Sequence, residues 1–191
     1  IPPAPFQFRI LNEKLECIQH QDYTLTIALE GDEIPTDAYI ELNGLPIKMT
    51  RQTNHQFEYA FTNIQKSKVL KFNAGGIYSE TYQLSVLAAP SLSNFNLYLD
   101  YPGYTEKKDE TLQNIGDIIL PEGTKAKWEF TTENTDELKL LWGTETLAAT
   151  ATTANSFYFE KTAKHSTTYT LLPSNKLVSG LDSIHYNFKV I

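Results

Sequence analysis

The sequence predicts an all-β protein made of two tandem immunoglobulin-like or fibronectin-like antiparallel β-sandwiches. Three observations carry that expectation. First, one strand programme occurs twice within 191 residues. Tyr23, Leu25, Ile27 and Leu29 alternate with Thr24, Thr26, Ala28 and Glu30, and later Ala126, Trp128 and Phe130 alternate with Lys127 and Glu129. A period of two is the mark of a half-buried strand. Second, the closing segments Tyr82-x-Leu84-x-Val86 and Tyr186-x-Phe188-x-Val190 lie 104 positions apart, whereas Phe57 and Phe157 lie 100 apart. Loop insertions between equivalent strands produce such a drift. Third, an aromatic content of 12%, from 11 Tyr and 10 Phe above all, suits pleated surfaces better than helices. Each half is long enough to close its own core, because a domain of about 95 residues buries roughly 60–65% of its unfolded surface.

The elements follow in order. Pro2, Pro3 and Pro5 set an extended lead-in, after which Phe6, Phe8 and Ile10 alternate as an edge strand. After the Tyr23 strand, the Gly31 to Asp37 stretch turns the chain into Ala38 to Leu42, and Asn43-Gly44 supplies a two-residue hairpin turn toward Ile47 and Met49. Phe57, Tyr59 and Phe61 form an inward row, Val69 to Phe72 another, and Ser79 to Leu87 closes the first copy. Residues 63–67 are expected to hold one helical turn. Seven or so short strands spaced by turns is the sandwich pattern, although the Cys-Trp-Cys signature of true immunoglobulin domains is absent. Ala88-Ala89-Pro90 is a short hinge, which gives domains of 1–89 and 90–191. In the second copy Phe95, Leu97, Leu99 and Tyr101 open, Leu138, Leu140 and Trp142 make a third row turned by Gly143-Thr144, and Phe157, Phe159, Tyr169 and Leu171 precede the closing strand.

The formal charge of -7 is shared, with 7 basic and 10 acidic residues in 1–89 against 9 and 13 in 90–191. Neither half has the basic face that phosphate neutralisation needs, so nucleic acid is not an expected partner. No apolar run approaches the roughly 20 residues of a membrane span, so no direct membrane insertion by this segment is expected. Cys17 is the single cysteine, which rules out an internal disulfide. The chain opens on Ile1 with neither an initiator Met nor a signal pattern, and reads as a piece of a longer polypeptide.

No catalytic residue, metal site or cofactor is expected. His20, His55, His165 and His185 show no ligand spacing. Asp32, Glu33 and Asp37, like Glu106, Asp109 and Glu110, lack the regular calcium-loop pattern and read as solvated loops. Neither a nucleophile elbow nor a phosphate or dinucleotide loop is present. The binding candidates are Tyr98, Tyr101 and Tyr104, whose rings pair an apolar face with a hydroxyl and can stack on sugars or on a protein. For Tyr101 and Tyr104 the favoured reading is instead a plug in the seam between the sandwiches, held by the bend at Pro102-Gly103.

Several motifs point further: Pro2-Pro3-Ala4-Pro5-Phe6, the Gly31 to Pro35 turn, Phe72 to Leu84, Tyr101-Pro102-Gly103-Tyr104-Thr105, Asn114-x-Gly116-Asp117, and Pro121-x-Gly123-Thr124-x-x-x-Trp128. Together they resemble a family of very long, uncharacterised envelope proteins of Gram-negative bacteria whose chains begin with hydrophobic membrane segments. The resemblance spans nearly the whole chain and is most specific from Tyr101 to Trp128. It implies a membrane-anchored parent protein, a periplasmic or cell-envelope location and immunoglobulin-like modules, with no established activity to carry over.

The resulting expectation is a non-enzymatic tandem acting as a structural spacer and protein-interaction surface, with an unidentified protein partner in the envelope. The alternatives are a carbohydrate-binding or adhesin-like module, motivated by the tyrosines, and an accessory domain of an enzyme.

Overall fold

A computed structural model describes residues 4–181 and 183–191; Pro2 and Pro3 of the expected lead-in lie outside the described residues. The chain is all-β and divides into two compact units, Ile1–Leu87 and Ala88–Ile191. Ala88 and Ala89 go with the second unit because Asn175 Nδ2 donates to the Ala88 carbonyl and Asn134 Nδ2 to the Ala89 carbonyl.

The first unit contains β1 (Phe6–Ile10), β2 (Glu16–Ile18), β3 (Tyr23–Gly31), β4 (Ala38–Leu42), β5 (Leu45–Lys48), β6 (Thr50–Arg51), β7 (Gln56–Phe61), β8 (Lys68–Ala74), β9 (Ile77–Tyr78) and β10 (Tyr82–Leu87). One sheet runs β1-β3-β7-β6 and the other β2-β10-β8-β4-β5, with β9 beside β8. The second unit contains β11 (Ser91–Asp100), β12 (Glu110–Gln113), β13 (Ile118–Leu120), β14 (Lys125–Glu133), β15 (Glu137–Trp142), β16 (Glu145–Ala148), β17 (Thr150–Thr153), β18 (Ser156–Thr162), β19 (Thr167–Ser174) and β20 (Ile184–Val190). Its sheets run β12-β11-β14-β18-β17 and β13-β20-β19-β15-β16. The two paths are the same strand for strand, except that β9 belongs to the first and β12 to the second.

Each unit is a sandwich closed on its own core. In the first, Leu25, Ile27 and Phe57 from one sheet meet Ile40, Leu70, Phe72 and Leu84 from the other. In the second, Phe95, Trp128 and Phe130 meet Leu140, Tyr169, Leu171 and Phe188. The alternating rows place these side chains inward and leave Lys127 and Glu129 on the outer face. The β4–β5 hairpin turns on Asn43 and Gly44, with φ of +51° and +78°, as a type I′ turn requires.

Four local features differ from the sequence expectation. The strands are more numerous than seven per unit, because short segments such as β2 and β13 pair at the sheet edges. Both pair in parallel, β2 with β10 and β13 with β20, so among the described residues each unit carries one parallel ladder in an otherwise antiparallel framework. Residues 63–67 form no helical turn: Asn63 is left-handed at φ +47°, and Ile64, buried in the core, exchanges backbone hydrogen bonds with Gln21 and His20. Val69 also leaves its predicted inward row and is exposed, while Leu70 and Phe72 stay inside.

Candidate functional groove on the second sandwich

The second unit differs from the first most at its opening strand. In the first unit β1 ends at Ile10, paired with Ile27, and Asn12 then takes over the edge of β3. Its Nδ2 donates to the Thr24 carbonyl and its Oδ1 accepts from the Thr26 N–H. In the second unit the strand continues. β11 pairs with β14 from Phe95 opposite Phe130 to Asp100 opposite Lys125, and β12 adds to its outer edge.

The longer strand brings distant residues into rows across one outer face. Thr111, Tyr98, Lys127 and Glu160 lie side by side on β12, β11, β14 and β18, and Asp100, Lys125 and Thr162 form the next row. A groove of about 900 Å³ follows these rows, with Asp109 and Lys164 also in its lining. Its lining supplies four lysines and four carboxylates, so formal charge balances.

The three tyrosines singled out by sequence have different positions. Tyr98, 37% exposed, lines the groove. Its hydroxyl donates to Glu129 Oε2 at 3.0 Å, and Glu129 Oε1 holds the Lys127 ammonium at 3.4 Å, so one carboxylate fixes two groove side chains. The hydrogen bond to Glu129, then burial, pushes the Tyr98 phenol above its ordinary pKa.

Tyr101 and Tyr104, expected at the seam, take their partners from the second unit itself. The Tyr101 ring packs on that unit's core, its N–H donates to Asp109 Oδ1 and its hydroxyl to Glu110 Oε1, while Lys107 Nζ stands 5.1 Å over the ring. Burial first, and the Glu110 contact second, push its phenol up to about 12. Tyr101 therefore braces the wall that carries Asp109 and Glu110. Tyr104 is 71% exposed on the 3-10 turn Gly103–Thr105, and its hydroxyl donates to the Glu122 carbonyl.

The remaining motif residues are framework. Thr105 Oγ1 donates to the Pro102 carbonyl, closing the turn, and the Pro102 ring sits against Gly123. Thr124 Oγ1 donates to the Pro121 carbonyl at 2.7 Å, and the Gly123 N–H donates to the Ala163 carbonyl at 2.7 Å. Asn114 Oδ1 accepts from the Phe95 N–H, and Asp117 Oδ1 accepts from the Asn187 N–H. Gly116 is required by space, because a Cβ there would fall inside the Tyr186 ring, and its carbonyl accepts the buried Tyr169 hydroxyl at 2.7 Å.

The other residues considered from sequence are spread over the surface. Among the described residues no three His, Cys, Asp or Glu side chains gather as metal ligands. Asp37 pairs with Lys48 at 3.0 Å. His185 Nδ1 meets the buried Thr170 Oγ1 at 2.7 Å and its Nε2 meets Ser183 Oγ at 3.3 Å, a cross-strand pair between β19 and β20. Burial, and then Glu16, push the Cys17 thiol up, the opposite of an activated nucleophile.

Sequence reasoning missed Lys127 and Glu160 as groove residues, and Glu129 as the carboxylate that holds Tyr98 and Lys127. The alternation around Trp128 already assigned Lys127 and Glu129 to an outer face, but their register against Tyr98 and Glu160 is a tertiary fact.

No protein-family model matches the chain, and no curated protein does. Among solved structures, it is similar to the fibronectin(III)-like modules of Clostridium thermocellum CbhA at 13% identity, over 96% of this chain and 95% of that one, with a TM-score of 0.38. It is also similar to bovine butyrophilin at 10% identity, over 97% of this chain and 99% of that one, with a TM-score of 0.46. The assignment as a pair of β-sandwiches rests on the sheets described above.

Proposed function

We propose that this tandem is a non-enzymatic structural and protein-interaction module in the cell envelope, carried by a larger membrane-anchored protein. One observation carries the reading: the most distinctive stretch of the sequence, Tyr101 to Trp128, is spent on holding the second sandwich together. Tyr101 and Thr105 brace the opening turn, Gly116 seats Tyr186 and Tyr169, Thr124 closes its own turn, and Trp128 fills the core. Such residues build a platform, and function on a β-sandwich is set by what its surface presents. The envelope location and the anchored parent follow from the sequence resemblance.

The test is a swap in the parent protein, replacing residues 1–191 with an unrelated pair of β-sandwiches, followed by cross-linking in fractionated cells. The native chain should be found in the envelope fraction and should cross-link to a defined envelope protein that the swapped chain does not reach. A cytoplasmic parent protein, or substrate turnover by the isolated chain that is lost on mutating its groove, would contradict the proposal.

A further inference from the structure

We propose that the outer-face groove of the second unit is a binding site for a neutral oligosaccharide, with Tyr98 as its stacking platform and Lys127 and Glu160 as its polar contacts. The inference stands beside the module reading and does not depend on it.

Three properties select that ligand class. The first is charge. Four lysines and four carboxylates line one open groove, so neither a polyanion nor a polycation meets a complementary field. A chain of sugar hydroxyls suits such a lining, because each hydroxyl both donates and accepts while ammonium groups only donate and carboxylates only accept. The second is the combination of an aromatic face with polar neighbours in one row: Thr111, Tyr98, Lys127 and Glu160 are consecutive across four strands. A pyranose ring presents the same pairing, with an apolar face bordered by hydroxyls. The third is preorganisation. Glu129 holds both the Tyr98 hydroxyl and the Lys127 ammonium, and Tyr101 pins Asp109 and Glu110, so the stacking ring and its lysine neighbour are already ordered before binding.

The first unit supplies an internal contrast. Leu25 opposite Tyr59 occupies the register that Trp128 opposite Phe159 occupies in the second unit, so Thr24 and Ala60 stand where Lys127 and Glu160 stand. Among the described residues that face has no counterpart of β12, and its opening strand stops at Ile10. The groove is therefore an addition to the shared framework, made by lengthening one strand and inserting β12 after it. Its volume lies within the range of small-ligand sites.

The experiment is a titration of the isotopically labelled 191-residue chain with cellohexaose, xylohexaose and chitohexaose, alongside hexagalacturonate and hexalysine as charged probes, read by amide chemical shifts. At least one neutral hexaose should give saturable shifts centred on Tyr98, Thr111 and Lys127. Tyr98→Ala should weaken that binding roughly tenfold and Glu160→Gln roughly threefold, as loss of a stacking face and of one hydrogen bond would. Glu160 is on an exposed outer row, so Glu160→Gln keeps the test open if Tyr98→Ala folds poorly. Silence with all three neutral sugars, a response to a charged probe alone, shifts centred elsewhere, or binding that neither variant weakens would each overturn the proposal.

Discussion

At four matching registers the two sandwiches carry different cores. Leu25, Leu42, Leu70 and Leu84 of the first unit stand where Trp128, Trp142, Tyr169 and Phe188 stand in the second, as their cross-strand partners show. The strand path hardly changes, so the fold tolerates either filling. What changes is the polar chemistry that the filling requires. Four leucines need only apolar neighbours. The aromatic cluster, with Trp142 stacked on Tyr169 at 5.4 Å and edge-on to Phe188 at 4.9 Å, also brings an indole N–H and a phenol into the interior. The Trp128 N–H donates to the Tyr169 hydroxyl at 3.3 Å, and that hydroxyl donates to the Gly116 carbonyl. The link between β12 and β13 is thereby fixed by the core beneath it, and the Asn114 to Asp117 motif becomes a consequence of the aromatic filling. In the first unit the corresponding link, residues 11–15, is held from the edge of the core instead: the partly buried Tyr23 hydroxyl donates to the Lys14 carbonyl at 2.7 Å, and Asn12 bridges to β3.

The largest effect that can break this comparison comes from emptying the matched core positions. Trp128→Ala is expected to cost the second unit about 3–5 kcal/mol and Leu25→Ala the first unit about 2–5 kcal/mol. Calorimetry should show each variant lowering only one of two unfolding transitions. Next comes Gly116→Ala, expected to cost about 1–3 kcal/mol by driving a methyl group into the Tyr186 ring. Combined with Tyr186→Ala, it should cost clearly less than the sum of the two, which a denaturant-based double-mutant cycle reads directly. Of similar size is Tyr169→Phe, about 1–3 kcal/mol, since the Gly116 carbonyl loses its donor and the Trp128 N–H its acceptor, both in the buried interior.

Alkaline pH sharpens the same contrast. The Tyr101 phenol is held at about 12 against an ordinary 10.0, so the folded second unit keeps this proton more tightly than the unfolded chain. Its contribution to stability is whole below pH 10 and is lost as pH rises through 10 toward 12. Burial lifts Tyr169 in the same sense and adds to the effect. Circular dichroism should therefore show the second unit weakening in that window, and Tyr101→Phe should make the decline shallower.

Much of the framework was legible because local rules and tertiary packing agree. The inward rows of β3 and β14, the Asn43-Gly44 turn and the Leu138, Leu140, Trp142 row all rest on period-two alternation or on turn chemistry, which a single sequence displays. β2 and β13 were not legible. They are three residues each, and their parallel pairing is set by strands some 70 positions further along. The helical turn expected at residues 63–67 failed because Ile64 is drawn into the core, a contact stronger than local preference. The groove was half legible: Tyr98 was singled out, yet its neighbours Lys127 and Glu160 come from strands 29 and 62 positions away, and only the sheet register unites them. Tyr101 and Tyr104 were singled out as rings for stacking or for the seam, whereas within the second unit one braces a wall and the other caps a turn.

The central claim is that two separately closed cores share one chain. Both tryptophans, Trp128 and Trp142, belong to the second core and the first has none, so tryptophan fluorescence reports one unit alone. The direct measurement is guanidinium unfolding of the Leu25→Ala chain, followed by tryptophan fluorescence and by circular dichroism in parallel. Two closed cores predict a fluorescence midpoint equal to that of the unmodified chain, while part of the circular dichroism change moves to lower denaturant. A fluorescence midpoint that falls together with the circular dichroism would mean a single cooperative core, and would contradict the account.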